Sequence, residues 1–256
     1  MSALARPRVL APLVLAGALA AWLVTAARMR GMDTGPGTDL GGLGWYLGVW
    51  VTMMAAMMLP SVLPMVLVYA RIARERSGAA PTWLFVASYF AVWTAYGLLA
   101  YGAARGLRSL DAGFFAWDRA GPWIAGAAVA SAGLYELTPL KNVCLRHCRT
   151  PLHFVLHGWR TGWLGAARMG GEHGLWCVGC CWGLMLALFA LGVMSLFWMA
   201  AVGAVIFAEK VLPFGGRLTR PLALAFVALG LWIALDPGSV PGLVQPGGGM
   251  PGMQMP

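Results

Sequence analysis

Long apolar runs separated by short polar stretches dominate the chain. A helix crossing a bilayer core of about 30 Å needs roughly 20 consecutive apolar residues. Segments at about 8–27, 44–70, 82–104, 121–140, 174–192, 194–212 and 221–236 reach or approach that length. The fifth and sixth form one stretch too long for a single span, and Gly192-Val193-Met194-Ser195 allows a tight turn between them. The second contains Pro60 and Pro64, which predict a kink. The pattern predicts an all-α fold, a polytopic transmembrane helix bundle of about seven helices, with residues 1–236 as one domain.

The polar stretches predict little further structure. Residues 28–43 read as a Gly-rich connection. Residues 105–120 suit a short interfacial helix with Phe114, Phe115 and Trp117 at the headgroups. The one substantial non-spanning region is about 141–173, where Pro151 can open a short helix that Gly158 and Gly162 break. The tail, 237–256, is rich in Met, Gly and Pro, has no core-forming pattern, and reads as disordered.

Composition agrees with a membrane protein. Of 256 residues, 60% are apolar and 11% are charged, against about 25% charged in soluble domains. The mean hydropathy is +0.73. The net charge of +9 is better explained by topology than by nucleic acid, because no basic run is interleaved with aromatics. Placing the N-terminus inside puts Arg6, Arg8, Arg71, Arg74, Arg76, Lys141, Arg146, Arg149, Arg160, Arg168, Lys210, Arg217 and Arg220 on the cytoplasmic side. Only Arg28, Arg30, Arg105, Arg108 and Arg119 then lie outside. This bias orients the chain N-inside and C-outside. The first apolar run, about 19 residues, exceeds the 7–15 of a signal peptide's core, so it reads as a retained helix. Together these features suggest a multi-pass protein of the bacterial inner (plasma) membrane, with the lipid bilayer as its first partner.

The candidate chemistry is thiol chemistry. Cys177, Cys180 and Cys181 sit at i, i+3 and i+4, and so share one helix face. His173, four residues before, and Met185, four after, extend that face. Cys144 and Cys148 form a second i, i+4 pair near the same membrane side. Thiolates select soft or borderline metals, Cu(I), zinc or iron–sulfur clusters. Cysteine is also an ordinary small buried residue, but three in five positions favour function. Met54, Met57 and Met58 share a face near mid-membrane, and thioethers select Cu(I), although methionine also fills irregular cores. The tail adds Met250, Met253 and Met255. His153 and His157, at i and i+4, suit either a metal or an amphipathic surface helix. Glu136 and Glu209 lie within or at the ends of apolar segments, where a carboxylate is costly and marks a candidate site.

Several of these motifs occur in one order. Met57-Met58-Leu59-Pro60-Ser61, Tyr135-Glu136-Leu137-Thr138-Pro139-Leu140-Lys141 with Cys144 and Cys148-Arg149, Gly174 through Cys177-Val178-Gly179-Cys180-Cys181-Trp182, and Gly192-Val193-Met194 leading to Trp198-Met199 and Glu209-Lys210 together resemble an uncharacterised bacterial family. That family is described as predicted metal-binding integral membrane proteins. Ser195 stands where its motif has Asn. The resemblance covers about residues 45–215 and implies metal binding with no assigned reaction.

Copper handling, as storage, delivery or transport, is the first functional expectation. Cys177, Cys180, Cys181, Cys144, Cys148, His173, Met54, Met57, Met58 and Glu136 are the candidate ligands, with zinc or iron as lesser alternatives to copper. A metal donor or acceptor protein, or a larger membrane complex, is the expected partner. Cys177-Val178-Gly179-Cys180 also has the C-x-x-C spacing of dithiol redox enzymes, and a non-catalytic subunit role is a third reading. No phosphate loop, dinucleotide fingerprint or nucleophile elbow is present. The balance is against an enzyme.

Overall fold

The computed structural model describes residues 7–29, 40–76, 80–110, 120–193 and 195–243. Among these residues it contains nine α-helices and no strand. They are α1 (Pro7–Met29), α2 (Leu43–Arg76), α3 (Ala80–Leu110), α4 (Gly121–Glu136), α5 (Pro139–Arg149), α6 (Pro151–His157), α7 (Gly162–Gly192), α8 (Leu196–Val211) and α9 (Gly215–Leu235). Five are long and apolar enough to cross a membrane: α1, α2, α3, α7 and α9. The other two helices built on apolar segments, α4 and α8, have 16 residues each. Phe114, Phe115, Trp117 and the tail methionines lie outside the described residues.

Local sequence explains where the helices stop. α2 runs unbroken through Pro60 and Pro64. The Ser61 hydroxyl donates to the Met58 carbonyl at 3.0 Å in that stretch. The apolar stretch expected to turn near Gly192 does so: Gly192 has φ of 107°, a conformation open to glycine, and α8 starts at Leu196. α4 ends at Glu136 because Thr138 precedes Pro139 and is extended (φ −72°, ψ 147°). The Thr138 side chain then caps α5 by accepting from the Lys141 N–H.

One boundary differs from the sequence reading in a way that matters. α7 starts at Gly162 rather than near 174. The charges that lowered apolarity there, Arg168 and Glu172, pair at i, i+4 across 3.0 Å, and Arg160 joins Glu172 at 3.3 Å. They therefore support the helix instead of ending it. Cys177, Cys180 and Cys181 consequently stand mid-helix, not at its mouth.

α7 is the central element, packed against α3, α4, α5 and α8. α4 and α9 form the most extensive pair. Gly126 and Gly230 face each other there so closely that a Cβ on either would strike the other's carbonyl oxygen. Small residues that let backbones meet are the usual glue of helices in lipid. Gly126→Val is expected to cost about 1–3 kcal/mol by overpacking, read as earlier unfolding in detergent micelles. Beyond α9, residues 237–243 fold back: Pro237–Ser239 form a 3-10 turn, and Trp198 donates to the Gly242 carbonyl at 3.0 Å.

Candidate functional site

α5 brings the site together. Its residues Lys141, Cys144 and Leu145 are buried on one face, and Cys148, one turn further, is half-buried. The spacing i, i+3, i+4, i+7 is that of an amphipathic helix. This face packs on α7. The Cys148 Sγ thereby comes within 3.7 Å of the Cys180 Sγ. Cys180 and Cys181 have their sulfurs 3.4 Å apart, and the Cys180 thiol donates to the Cys177 carbonyl at 3.2 Å. Sulfurs from two separate helices thus adjoin, and all five cysteines are free.

Cys177 has a different environment. The Lys210 ammonium, from the last turn of α8, donates to its sulfur at 2.8 Å. The Tyr89 hydroxyl, from α3, lies 2.9 Å from the same atom. Lysine has donors only, so the sulfur must accept. A buried ammonium needs an anionic or strongly accepting partner, and among the described residues Lys210 has no carboxylate within ion-pair distance. An ammonium and a phenol directed at one sulfur are the surroundings of a thiolate.

A second polar group lies beside it. Lys141 Nζ donates to Glu136 Oε1 at 2.6 Å and to Glu209 Oε2 at 2.8 Å, with the side chains 0% to 1% exposed. The Glu136–Lys141 contact follows directly from the break at Thr138-Pro139, which folds the first turn of α5 back onto the end of α4. Burial alone would push the Lys141 ammonium toward neutrality; Glu209 and Glu136 outweigh it and hold the pKa above the ordinary lysine range. Glu136 Oε2 and Glu209 Oε1 are buried without hydrogen-bond partners among the described residues. Arg149 closes the C-terminal end of α8 by donating to the carbonyls of Glu209 (2.6 Å), Leu212 (2.9 Å) and Pro213 (3.0 Å).

Among the described residues, the remaining sequence candidates make no hydrogen bond to the sulfurs of Cys148 and Cys180. Cys144 sits against Gly179, where a Cβ would come within 2.8 Å of its sulfur. Burial pushes the Cys144 thiol up, toward the neutral form. His173 is buried with its ring stacked on Phe85 and Tyr89 and edge-on to Phe154, and its Nδ1 has no partner among the described residues. Met54, Met57 and Met58 are buried in α2. Met57 packs toward Gly203 of α8, and the Met58 sulfur lies 3.9 Å from the Ser61 hydroxyl. Among the described residues, no group of three or more His, Cys, Asp or Glu is already arranged to hold a metal ion.

Three participants escaped the sequence reading. Lys141 and Lys210 counted there as topological charge, yet both are buried, at 0% and 8% exposure. A lysine inside an apolar helix is itself a signal, because it demands a partner; asking for that partner would have singled out Lys210. Tyr89 gave no signal, since nothing local separates it from the other aromatic residues of α3.

The sequence model of a family described as PpoB2, copper chaperone, matches residues 47–233. No curated protein and no solved structure matches the chain. The family match runs from α2 into α9 and so includes Tyr89, Glu136, Lys141, Cys148, Cys177, Cys180, Cys181, Glu209 and Lys210. It supports the metal-related side of the resemblance noted from the motifs, and it points to copper handling. The match spans well over half of the chain, which therefore belongs to the PpoB2 copper chaperone family.

Proposed function

We propose that this protein is a multi-pass bacterial inner-membrane protein that takes up Cu(I) on Cys148, Cys177, Cys180 and Cys181 and delivers it to an acceptor. Seven helices, α1 to α4 and α7 to α9, cross the bilayer with the N-terminus in the cytoplasm. The excess of Arg on the assigned inner side supports that orientation. The observation that carries the copper reading is the approach of the Cys148 thiol on α5 to the Cys180–Cys181 pair on α7, at 3.7 and 3.4 Å. Two metal–sulfur bonds of about 2.3 Å at a tetrahedral angle hold their sulfurs about 3.8 Å apart. The thiols need only turn toward a common point to meet the ion. Sulfur ligands favour Cu(I) over harder cations, and the copper chaperone family supports the same ion.

Elemental analysis of the purified full chain, loaded with Cu(I) under reducing conditions, tests this. Copper is expected on the wild type and lost from C177S/C180S/C181S. Serine is the replacement of choice because it keeps an acceptor for Lys210. Zinc or iron on the wild type alone would keep metal binding and reject copper. No metal on either protein sinks the reading. The same 3.7 Å approach of Cys148 to Cys180 also favours a second reading, thiol–disulfide exchange with a partner. Trapping a mixed disulfide at either residue would select it.

A further inference from the structure

Resting on the copper reading above, we propose that Cys148 is the transfer ligand, the sulfur through which Cu(I) passes between this site and a thiol-bearing acceptor. Three observations carry it. Of the five cysteines, Cys144, Cys177, Cys180 and Cys181 are buried and Cys148 alone is partly exposed. Cys148 sits on the short amphipathic α5, near its end, whereas the inner three sulfurs belong to the central helix α7. Finally, the sulfurs form a sequence from surface to interior. Cys148 meets Cys180 at 3.7 Å, Cys180 meets Cys181 at 3.4 Å, and Cys177 is held by Lys210 and Tyr89 at 2.8 and 2.9 Å.

Exchange at a thiol-bound centre requires the incoming sulfur to reach the atom it replaces, so rate follows access as well as thiolate character. An acceptor thiol cannot reach sulfurs that are 1% exposed. It can reach copper bound at Cys148. In the exchange the Cu–S bond to Cys148 breaks as the Cu–S bond to the acceptor forms. The acceptor's proton passes to the Cys148 sulfur, and copper remains Cu(I) throughout. The inner three thiols hold the ion while this happens. Loading runs the same step backward. His147, the residue before Cys148, stacks flat on Trp176, the residue before Cys177, with ring centroids 4.0 Å apart.

The test uses the full chain in detergent micelles, loaded with Cu(I) and then given excess reduced glutathione, with protein-bound copper counted after gel filtration. C148S is expected to retain copper on the inner thiols and to release it on the order of tenfold more slowly than the wild type. C181S, which removes a buried ligand, is expected to release at the wild-type rate or faster. Release from C148S as fast as from the wild type overturns the proposal, as does equal slowing in C181S. If C148S no longer holds copper, N-ethylmaleimide labelling of the wild type decides instead. Cys148 should be modified first among the five cysteines and should be protected by bound copper. Earlier modification of Cys177, Cys180 or Cys181, or no protection, overturns it. A wild type that binds no copper refutes the copper reading itself, and with it the transfer role, while the labelling order of the metal-free protein still reports the access predicted for Cys148.

Discussion

Lys141→Met is expected to destabilise this protein by about 3–5 kcal/mol, the range for removing one partner of a buried ion pair. Methionine nearly matches lysine in volume, so the loss is electrostatic rather than a cavity. Glu136 and Glu209 both bond the Lys141 ammonium, and their side chains are 0% and 1% exposed. Without it two carboxylates are left together in the interior. Arg149 does not relieve them, because its guanidinium is spent on backbone carbonyls at the end of α8. Unfolding in detergent micelles measures the effect. The triple change K141M/E136Q/E209Q should recover most of the loss, since a buried charged set replaced as a whole by neutral groups is often close to neutral in stability. K141M unfolding together with the wild type would refute this account. Folding raises the Lys141 pKa. Its contribution is therefore complete below the unfolded lysine value of about 10.4, and is lost only as pH rises through the higher folded value. The lysine side of the group brings no pH dependence near neutrality.

Cys177→Ala is expected to cost about 3–5 kcal/mol as well, far more than Cys181→Ala. The two thiols are equally buried, at 1% exposure, so area alone predicts no difference. What separates them is Lys210. Its ammonium donates to Cys177 at 2.8 Å, and alanine would strand that charge inside the bundle. The double change C177A/K210M should restore most of the stability, and the double-mutant cycle should give a coupling energy well above about 1 kcal/mol. Equal losses for C177A and C181A would show that Lys210 finds another partner and that Cys177 is no different from its neighbours.

Both predictions concern lysines that the charge count took only as topological marks. Counting Lys and Arg treats every cation near a helix end as a solvent-facing topological mark. Lys141 and Lys210 occupy such positions in sequence, yet each is turned inward, the first by the Thr138-Pro139 break and the second by the partner sulfur on α7. The cysteine face was legible because i, i+3, i+4 spacing requires only that the segment be helical. Its depth was not. Hydropathy placed the start of that helix near 174, because Arg168 and Glu172 lower apolarity whether or not they pair. Their pairing on the helix surface is a tertiary and local-geometric fact that a hydropathy count does not contain.

By itself, the sequence determined the class of fold and the class of chemistry. Apolar runs of membrane length could only be helices, since backbone polar groups in lipid must be satisfied within the segment. The turn at Gly192 was also readable, because glycine acts on the backbone at its own position, whereas the break at Pro139 fell inside a segment read as one span of about 121–140. Clustered thiols suggested a soft-metal or redox site, and the copper chaperone family agrees with the first of these. Only the tertiary structure decided which groups meet: Cys148 with Cys180, Lys210 and Tyr89 with Cys177, Lys141 with Glu136 and Glu209, and Cys144 with Gly179 instead of the other sulfurs. Apart from Glu136 and Lys141, these partners are 30 to 90 positions apart in sequence and come from different helices. Their contact depends on how α5 and α8 lie against α7, and periodicity within a helix says which face is buried but not what it is buried against.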